Sequence, residues 1–295
     1  MTPPAARALE HRTGAFRAAD GVEIRWQAWI PVHATAAVLL SHGLGEHGGR
    51  YARLAGELAE HGIAVWVPDH RGHGLSGGPR GHAARFDDLA RDFEAFRLHV
   101  SASIGADLPL FLYGHSLGGL IALRYLQTHP QLPFRGAVLS APLLGFHIRP
   151  PRWKTALAAV LNRLLPTARF ANEVDPAGLS HDAEYVRSYR DDPLVHPWLT
   201  PRLFAELVAA ISLALHEGAA LRLPLLFLLP GADPIVRTDV AREFAATLGG
   251  DVTVREYAGM FHEPHNEVDR ALVTADVVAW ITAHAAADRP AGLPI

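Results

Sequence analysis

Ser116 stands at the centre of Gly114-His115-Ser116-Leu117-Gly118, a spacing that can turn a hydroxyl into a nucleophile. A short apolar run, Leu108 to Tyr113, precedes it, and a helical pattern, Leu117 to Gln127, follows. G-x-S-x-G between a strand and a helix predicts a sharp turn, with a strained serine at its apex facing the end of a sheet. Small residues two positions either side let neighbouring chain pack close. The next amide, that of Leu117, points at the same spot. The bare motif arises by chance in many proteins, so the strand before and the helix after carry the assignment.

A serine is a poor nucleophile unless a base takes its proton, and the base needs a third group to fix its tautomer. On a strand–turn–helix scaffold those partners follow in the order acid, then histidine, each on a loop after a later strand. Asp233 fits the first place, in Pro230-Gly231-Ala232-Asp233 just past the apolar run Leu225 to Leu229. An Asp after Gly also suits a plain turn, but its place at a strand's carboxyl end favours the catalytic role. His262, after the run Val252 to Tyr257, fits the second. Its rival His265 lies farther from the strand end and opens the final helix, so His262 is the expected base. The loop His42-Gly43-Leu44-Gly45 follows another strand, and its Leu44 amide can face the serine. Leu44 and Leu117 would then form an oxyanion hole from N–H groups alone, which is why both can be apolar.

His42, His47, His70, His73 and His82 crowd one part of the sequence, and imidazole suits zinc. No HExxH and no carboxylate at ligand spacing accompanies them, so no metal site is expected. Asp69-His70-Arg71-Gly72-His73-Gly74 reads instead as a loop held by its own hydrogen bonds.

These residues must be positioned by something, and the order of elements supplies it. Ala15 to Arg17 and Val22 to Ile30 flank Asp20-Gly21 and predict a hairpin. Strands over Ala36 to Ser41, Ala64 to Pro68, Leu108 to Tyr113 and Gly136 to Ser140 then alternate with helices over Tyr51 to His61, Phe86 to Val100 and Leu117 to Gln127. Alternation with continuously apolar strands means an α/β fold with a mostly parallel sheet covered on both faces. The rhythm stops after Pro142. Leu143 to Leu223 holds two or three helices, among them Trp153 to Leu165 and Pro201 to His216, and no convincing strand. It resumes with strands over Leu225 to Leu229 and Val252 to Tyr257 and helices over Arg237 to Leu248 and Val268 to His284. Residues 1–142 and 224–295 are thus the expected core, with 143–223 inserted between two strands as a helical lid. Ligands of open α/β sheets sit beyond the carboxyl ends of the strands, where that insertion emerges.

Composition limits the alternatives. Hydrophobic residues make up 49% and charged residues 19% of 295, an ordinary globular balance with enough chain for a large core. A net charge of −3 gives no reason to expect a nucleic-acid partner. The absence of cysteine excludes disulfides, thiolate zinc and a cysteine nucleophile. Met1 to Arg12 lacks the apolar segment of a signal peptide, and Leu207 to Leu229 is broken by His216, Glu217, Arg222 and Pro224. The reading is a soluble cytoplasmic protein.

With these residues in place the chain resembles the α/β-hydrolase fold, and within it the monoacylglycerol lipase and lysophospholipase family of serine hydrolases. The likeness rests on His42-Gly43-Leu44-Gly45-Glu46-His47 with Arg50-Tyr51, on Asp69 to Ser76 and on Gly114 to Gly119. It continues through Asp192-Pro193-Leu194-Val195-His196, Gly231-Ala232-Asp233 and Tyr257 to Glu267. It implies Ser116, Asp233 and His262 as a triad, Leu44 and Leu117 as the oxyanion hole, and a supporting network of Glu46, Arg50 and His115. It also implies a small lipid ester as substrate, cleaved through an acyl-enzyme to fatty acid and alcohol without a cofactor. The likeness fades in the lid before Asp175, where acyl specificity would be set.

In that lid Trp153, Ala156, Leu157, Val160, Leu161, Leu164 and Leu165 form an apolar stripe at helical spacing. Packing onto the core is the first expectation. Lining an acyl channel, or touching a membrane surface in passing, is the second. A lysophospholipase or a broad carboxylesterase would use the same triad, as would a perhydrolase with peroxide in place of water. A haloalkane dehalogenase is excluded, because its nucleophile is a carboxylate. A binding module that kept only the fold is the non-enzymatic alternative, though no member of the triad is missing.

Overall fold

Two cores, one on each face of a sheet, account for the apolar runs in the sequence. The computed structural model describes residues 9–105, 107–129, 131–147 and 152–286, with the side chains of 152–156 and 158 excepted. In chain order the strands are β1 (Leu9–Arg17), β2 (Glu23–Pro31), β3 (Ala36–Ser41), β4 (Ile63–Pro68), β5 (Leu110–His115) and β6 (Phe134–Ser140). They continue as β7 (Phe170–Ala171), β8 (Trp198–Leu199), β9 (Leu225–Pro230) and β10 (Val252–Tyr257). Eight of them form a sheet in the order β1-β2-β4-β3-β5-β6-β9-β10. From β4 to β10 every pairing is parallel, while β2 runs antiparallel to both β1 and β4.

Side chains on the parallel strands alternate between the two cores. Leu39, Leu112, Leu139 and Phe227 meet α2 (Phe86–Val100) and α3 (Leu117–Thr128) on one face. Val38, Tyr113, Val138 and Leu228 meet α1 (Ala52–Glu60) and the C-terminal helix Arg270–Ala286 on the other. Both faces being buried, a strand has no polar side, which is why these runs read as continuously apolar. The chain leaves β3 towards β4 on one side and returns as β5 on the other. Loops after β3 and β5 therefore diverge at a switch point of strand order, where an open sheet forms its binding crevice.

Between β6 and β9 the inserted segment carries α4 (Arg152–Leu164), α5 (Ala183–Arg190) and α6 (Pro201–His216). The helix after β9 is α7 (Thr238–Thr247), and Arg270–Ala286 is α8. Three features differ from the sequence reading. The insertion was expected to lack strands, yet β7 and β8 pair antiparallel, Phe170 with Leu199. Two residues are too few to show a period. The first hairpin arm begins at Leu9, because side chains that are mostly exposed along β1 leave no apolar alternation to detect. Most of the α4 stripe faces outward: Leu157, Val160, Leu164 and the adjoining Leu165 are exposed, Leu164 by 69%, while Leu161 is half-buried. Trp153 and Ala156 of that stripe lie outside the described side chains. The helix that joins the core is α6, through buried Leu203, Leu207, Ala210 and Ala214. Among the described residues no helix is long and apolar enough to cross a membrane.

Candidate active site

The turn after β5 places Ser116 as the sequence spacing requires. Its φ of 52° and ψ of −117° lie in a region that residues with a side chain rarely occupy. Surrounding bonds hold it there. Ser116 N–H donates to the Ser140 carbonyl at 3.0 Å, and its own carbonyl accepts from the Gly119 and Leu143 amides, each at 3.0 Å. The flanking glycines are needed for close approach rather than for their dihedrals. A Cβ on Gly114 would lie 2.5 Å from the Gly118 carbonyl oxygen, and one on Gly118 would overlap the Ser41 carbonyl.

His262 comes from the loop after β10 and bridges the other two groups. Its Nε2 lies 3.0 Å from Ser116 Oγ and its Nδ1 2.8 Å from Asp233 Oδ2. A carboxylate only accepts, so Nδ1 carries the proton and Nε2 is free to accept from the serine hydroxyl. Asp233 is itself fixed: Oδ1 accepts from the Ile235 and Val236 amides at 2.8 and 3.0 Å. Burial pushes the His262 pKa down, but the charge and hydrogen bond of Asp233 outweigh it, leaving it raised above the ordinary 6.5. His265 has a different place. It stacks on Tyr51 with ring centroids 5.1 Å apart, and neither ring nitrogen has a partner. Burial and the nearby Arg53 hold it neutral, with its pKa lowered to about 3.

Ser116 caps the N-terminus of α3, so the Leu117 amide belongs to a first turn with no intrahelical partner. Across the crevice, Leu44 sits in the turn after β3. Among the described residues neither the Leu44 nor the Leu117 N–H donates to another protein group. The helix dipole adds positive potential where an oxyanion would develop beside Ser116.

Glu46 and His115 line the crevice and Arg50 lies behind it, against Tyr185 and Tyr189; no direct hydrogen bond joins the three. Glu46 Oε1 accepts from the Gly43 amide at 2.5 Å and the Tyr51 hydroxyl at 2.7 Å, while Oε2 is buried without a partner. Burial, then the neighbouring Glu263, push its pKa up to about 7. Arg50 instead packs its guanidinium over Tyr185 and Tyr189 and donates to Asp192 at 3.4 Å. The His115 Nδ1 lies 3.3 Å from Ser140 Oγ. Arg50 and Glu46 are linked indirectly: Arg50 Nε donates to the Tyr185 hydroxyl at 3.3 Å, that hydroxyl donates to Glu263, and the Arg50 charge offsets part of the rise in the Glu46 pKa.

The remaining histidines serve the loops. His42 Nδ1 donates to the Gly43 carbonyl at 2.8 Å, and Nε2 accepts from the His70 amide at 2.9 Å. His70 pairs with Ser41 Oγ at 3.0 Å, and burial followed by His73 lowers its pKa to about 3. His47 reaches Asp192, and His82 lies 3.0 Å from Thr200 Oγ1. Among the described residues no group of three or more histidines and carboxylates is arranged to hold a metal.

Ser116 and His262 open onto a cavity of about 570 Å³. Its walls are apolar at Leu44, Leu143, Phe146, Leu179, Phe204 and Ile235, and polar at Glu46, His115, Tyr189 and Glu263. The sequence reading missed Glu263 and Tyr185. Glu263 accepts a short hydrogen bond from the Tyr185 hydroxyl and a 2.6 Å one from Asn266 Nδ2. Tyr185 is 78 residues away, so a charged residue beside His262 was the only signal available.

Residues 32–269 match the family described as serine aminopeptidase, S33. The chain is similar to a monoacylglycerol lipase of Mycolicibacterium smegmatis, 33% identical over 91% of this chain and 96% of that one. It is similar also to the human monoglyceride lipase, 32% identical over 94% of this chain and 92% of the relative. Among solved structures, the monoacylglycerol lipase of Paleococcus ferrophilus superposes with a TM-score of 0.78 at 30% identity, covering 94% of this chain and 99% of that one.

Proposed function

We infer the reaction from a premise: the chain belongs to the family described as serine aminopeptidase, S33, and to its monoacylglycerol lipase branch. It is a serine ester hydrolase acting on monoacylglycerols, whose acyl chain suits the apolar walls of the cavity. One observation carries the mechanism, the unbroken path from Asp233 through His262 to Ser116 in the wall of that cavity. Ser116 Oγ attacks the ester carbonyl as His262 Nε2 takes its proton, and Asp233 stabilises the imidazolium. The Leu44 and Leu117 N–H groups receive the oxyanion. His262 returns the proton to the departing glycerol oxygen. A water molecule, deprotonated by the same nitrogen, then releases the fatty acid and restores Ser116.

The head group has a natural place. Glu46 Oε2, buried without a partner in the cavity wall, can share a hydrogen bond with a glycerol hydroxyl, accepting when ionised and donating when protonated. An aminopeptidase substrate would bring an ammonium instead. Glu263, the other acid nearby, already accepts from Tyr185 and Asn266, and burial favours the neutral form of Glu46, so a neutral polyol suits the site better.

Residues 143–223 form the lid in this reading. The exposed Leu157, Val160 and Leu164 of α4, with the adjoining Leu165, meet a lipid surface, and Phe170 leads into Asn172 to Val174 on the cavity wall. Co-sedimentation with phosphatidylcholine vesicles is expected, weakened when Leu164 is replaced by Asp. No binding by the unaltered protein would mean that substrate arrives as free molecules.

Substrate class is read from a panel of monoacylglycerols, lysophospholipids, p-nitrophenyl esters and an aminoacyl arylamide. Each acyl methylene buried adds about 0.8 kcal/mol, roughly fourfold in affinity. Medium- and long-chain monoacylglycerols should therefore give the highest kcat/KM. A maximum at acetate would make this a short-chain carboxylesterase, and a preference for lysophospholipids would move the head-group assignment.

A further inference from the structure

Leu44 is flanked by glycine on both sides, which leaves its backbone few restraints of its own. Gly43 and Gly45 leave the backbone more conformational freedom than any other residue would. Gly45 adopts a φ of +79°, and its carbonyl accepts from the His196 N–H at 2.8 Å. A Cβ on Gly45 would lie 2.5 Å from the His196 carbonyl oxygen, so inserted chain rests directly on this loop. His196 is in turn held by its ring. Its Nε2 donates to the Gly72 carbonyl at 2.9 Å, and its Nδ1 accepts from the Trp198 amide at 3.3 Å. The ring is buried and lies against His73, with centroids 5.0 Å apart.

Four residues earlier a second tie reaches the same loop. Asp192 Oδ2 accepts from His47 Nε2 at 2.9 Å and from Arg50 Nη1 at 3.4 Å. His47 Nδ1 accepts from the Gly49 amide, so Nε2 bears the proton that Asp192 receives. Position 45 is thereby tied to residue 196 and position 47 to residue 192. The unpartnered Leu44 N–H sits beside this clamp, with Glu46 closing the loop back onto Gly43.

We propose that His196 is a positioning residue for ester hydrolysis: from the inserted segment it holds the Gly45 carbonyl, and through it the Leu44 N–H, in the geometry that receives the oxyanion. The proposal rests on the serine-esterase reading above. It gives residues 192–200 a part in the chemistry that is separate from covering the substrate. A donor displaced by about 1 Å stabilises the transition state less while leaving ground-state binding in the cavity almost unchanged.

The test uses the full chain with p-nitrophenyl butyrate and a fluorophosphonate probe. His196→Ala is expected to lower kcat by about ten- to a hundredfold, with KM within about twofold of wild type. Labelling of Ser116 by the probe should slow by a similar factor. His196→Gln, whose amide N–H can still reach the Gly72 carbonyl, should recover most of the lost kcat. Unchanged kcat in His196→Ala, a loss confined to KM, or a glutamine variant no better than alanine would each overturn the proposal. Should His196→Ala lose its cooperative melt, Asp192→Asn loosens the other tie. The same fall in kcat at constant KM is expected there, and wild-type kcat would be the overturning result. A wild-type protein that the probe does not label would remove the reaction itself. Normal wild-type labelling with unaffected variants would remove only the role of His196.

Discussion

Replacing Ser116 by alanine is expected to lower kcat by on the order of 10⁶, the scale seen when a triad nucleophile is removed. Alanine keeps the Cβ, so the backbone at φ 52° gains no freedom and the packing of Gly114 and Gly118 around it is undisturbed. Only the hydroxyl and its 3.0 Å bond to His262 are lost. The melting temperature should therefore stay close to wild type while turnover disappears. Residual rate would come from substrate positioning and the two backbone donors, which still polarise the ester carbonyl. Burst and steady-state assays on a p-nitrophenyl ester read the effect. More than a few per cent of wild-type turnover would point to a different nucleophile.

Asp233→Asn should cost about 10⁴ in kcat near neutral pH, for a reason that is electronic rather than steric. The Asn side-chain oxygen can still accept from the Ile235 and Val236 amides, as Asp233 Oδ1 does. Its NH₂ then faces His262 Nδ1, where Asp233 Oδ2 now accepts at 2.8 Å. Nδ1 must become the acceptor, so the proton moves to Nε2 and points at Ser116. The base is lost although every heavy atom keeps its position.

The pH profile gives an independent reading of the same substitution. Neutral His262 is the base, so kcat/KM rises with pH through the His262 pKa. Asp233 raises that pKa against the effect of burial, which puts the wild-type acidic limb above 6.5. Without the carboxylate charge burial dominates, and the limb should move below 6.5. A limb that stays in place, or full activity in the variant, would mean that another group sets the tautomer.

Much of the site could be read from the sequence, because its parts are local. Gly114, Gly118 and the change of period between them define a turn within five residues, and β3, α2, α6 and β10 begin and end where the spacing placed them. His262 was separable from His265 by distance to a strand end, and the structure gives the two opposite surroundings. The supporting residues were less legible. Glu46, Arg50 and His115 lie where the resemblance puts them, yet each turns to a partner that sequence spacing does not identify. The α4 stripe was ambiguous for a simple reason: apolar spacing shows that a helix has a face, not what the face meets.

Taken by itself, the sequence determined the sheet and the order of its helices, and it singled out Ser116, Asp233 and His262, which the fold brings within hydrogen-bonding distance. Each of those depends on backbone preferences and apolar periods that act over a few residues. Tertiary structure alone decided the side chains around them. His47 meets Asp192 across 145 positions and His196 meets Gly72 across 124, contacts that exist only after the insertion folds back over the carboxyl end of the sheet. Burial then set the charges. Asp233 raises the pKa of His262 against its burial, while His265, three residues later, is held neutral by desolvation and a nearby arginine. Such shifts depend on what surrounds a group in three dimensions, and no one-dimensional spacing encodes that.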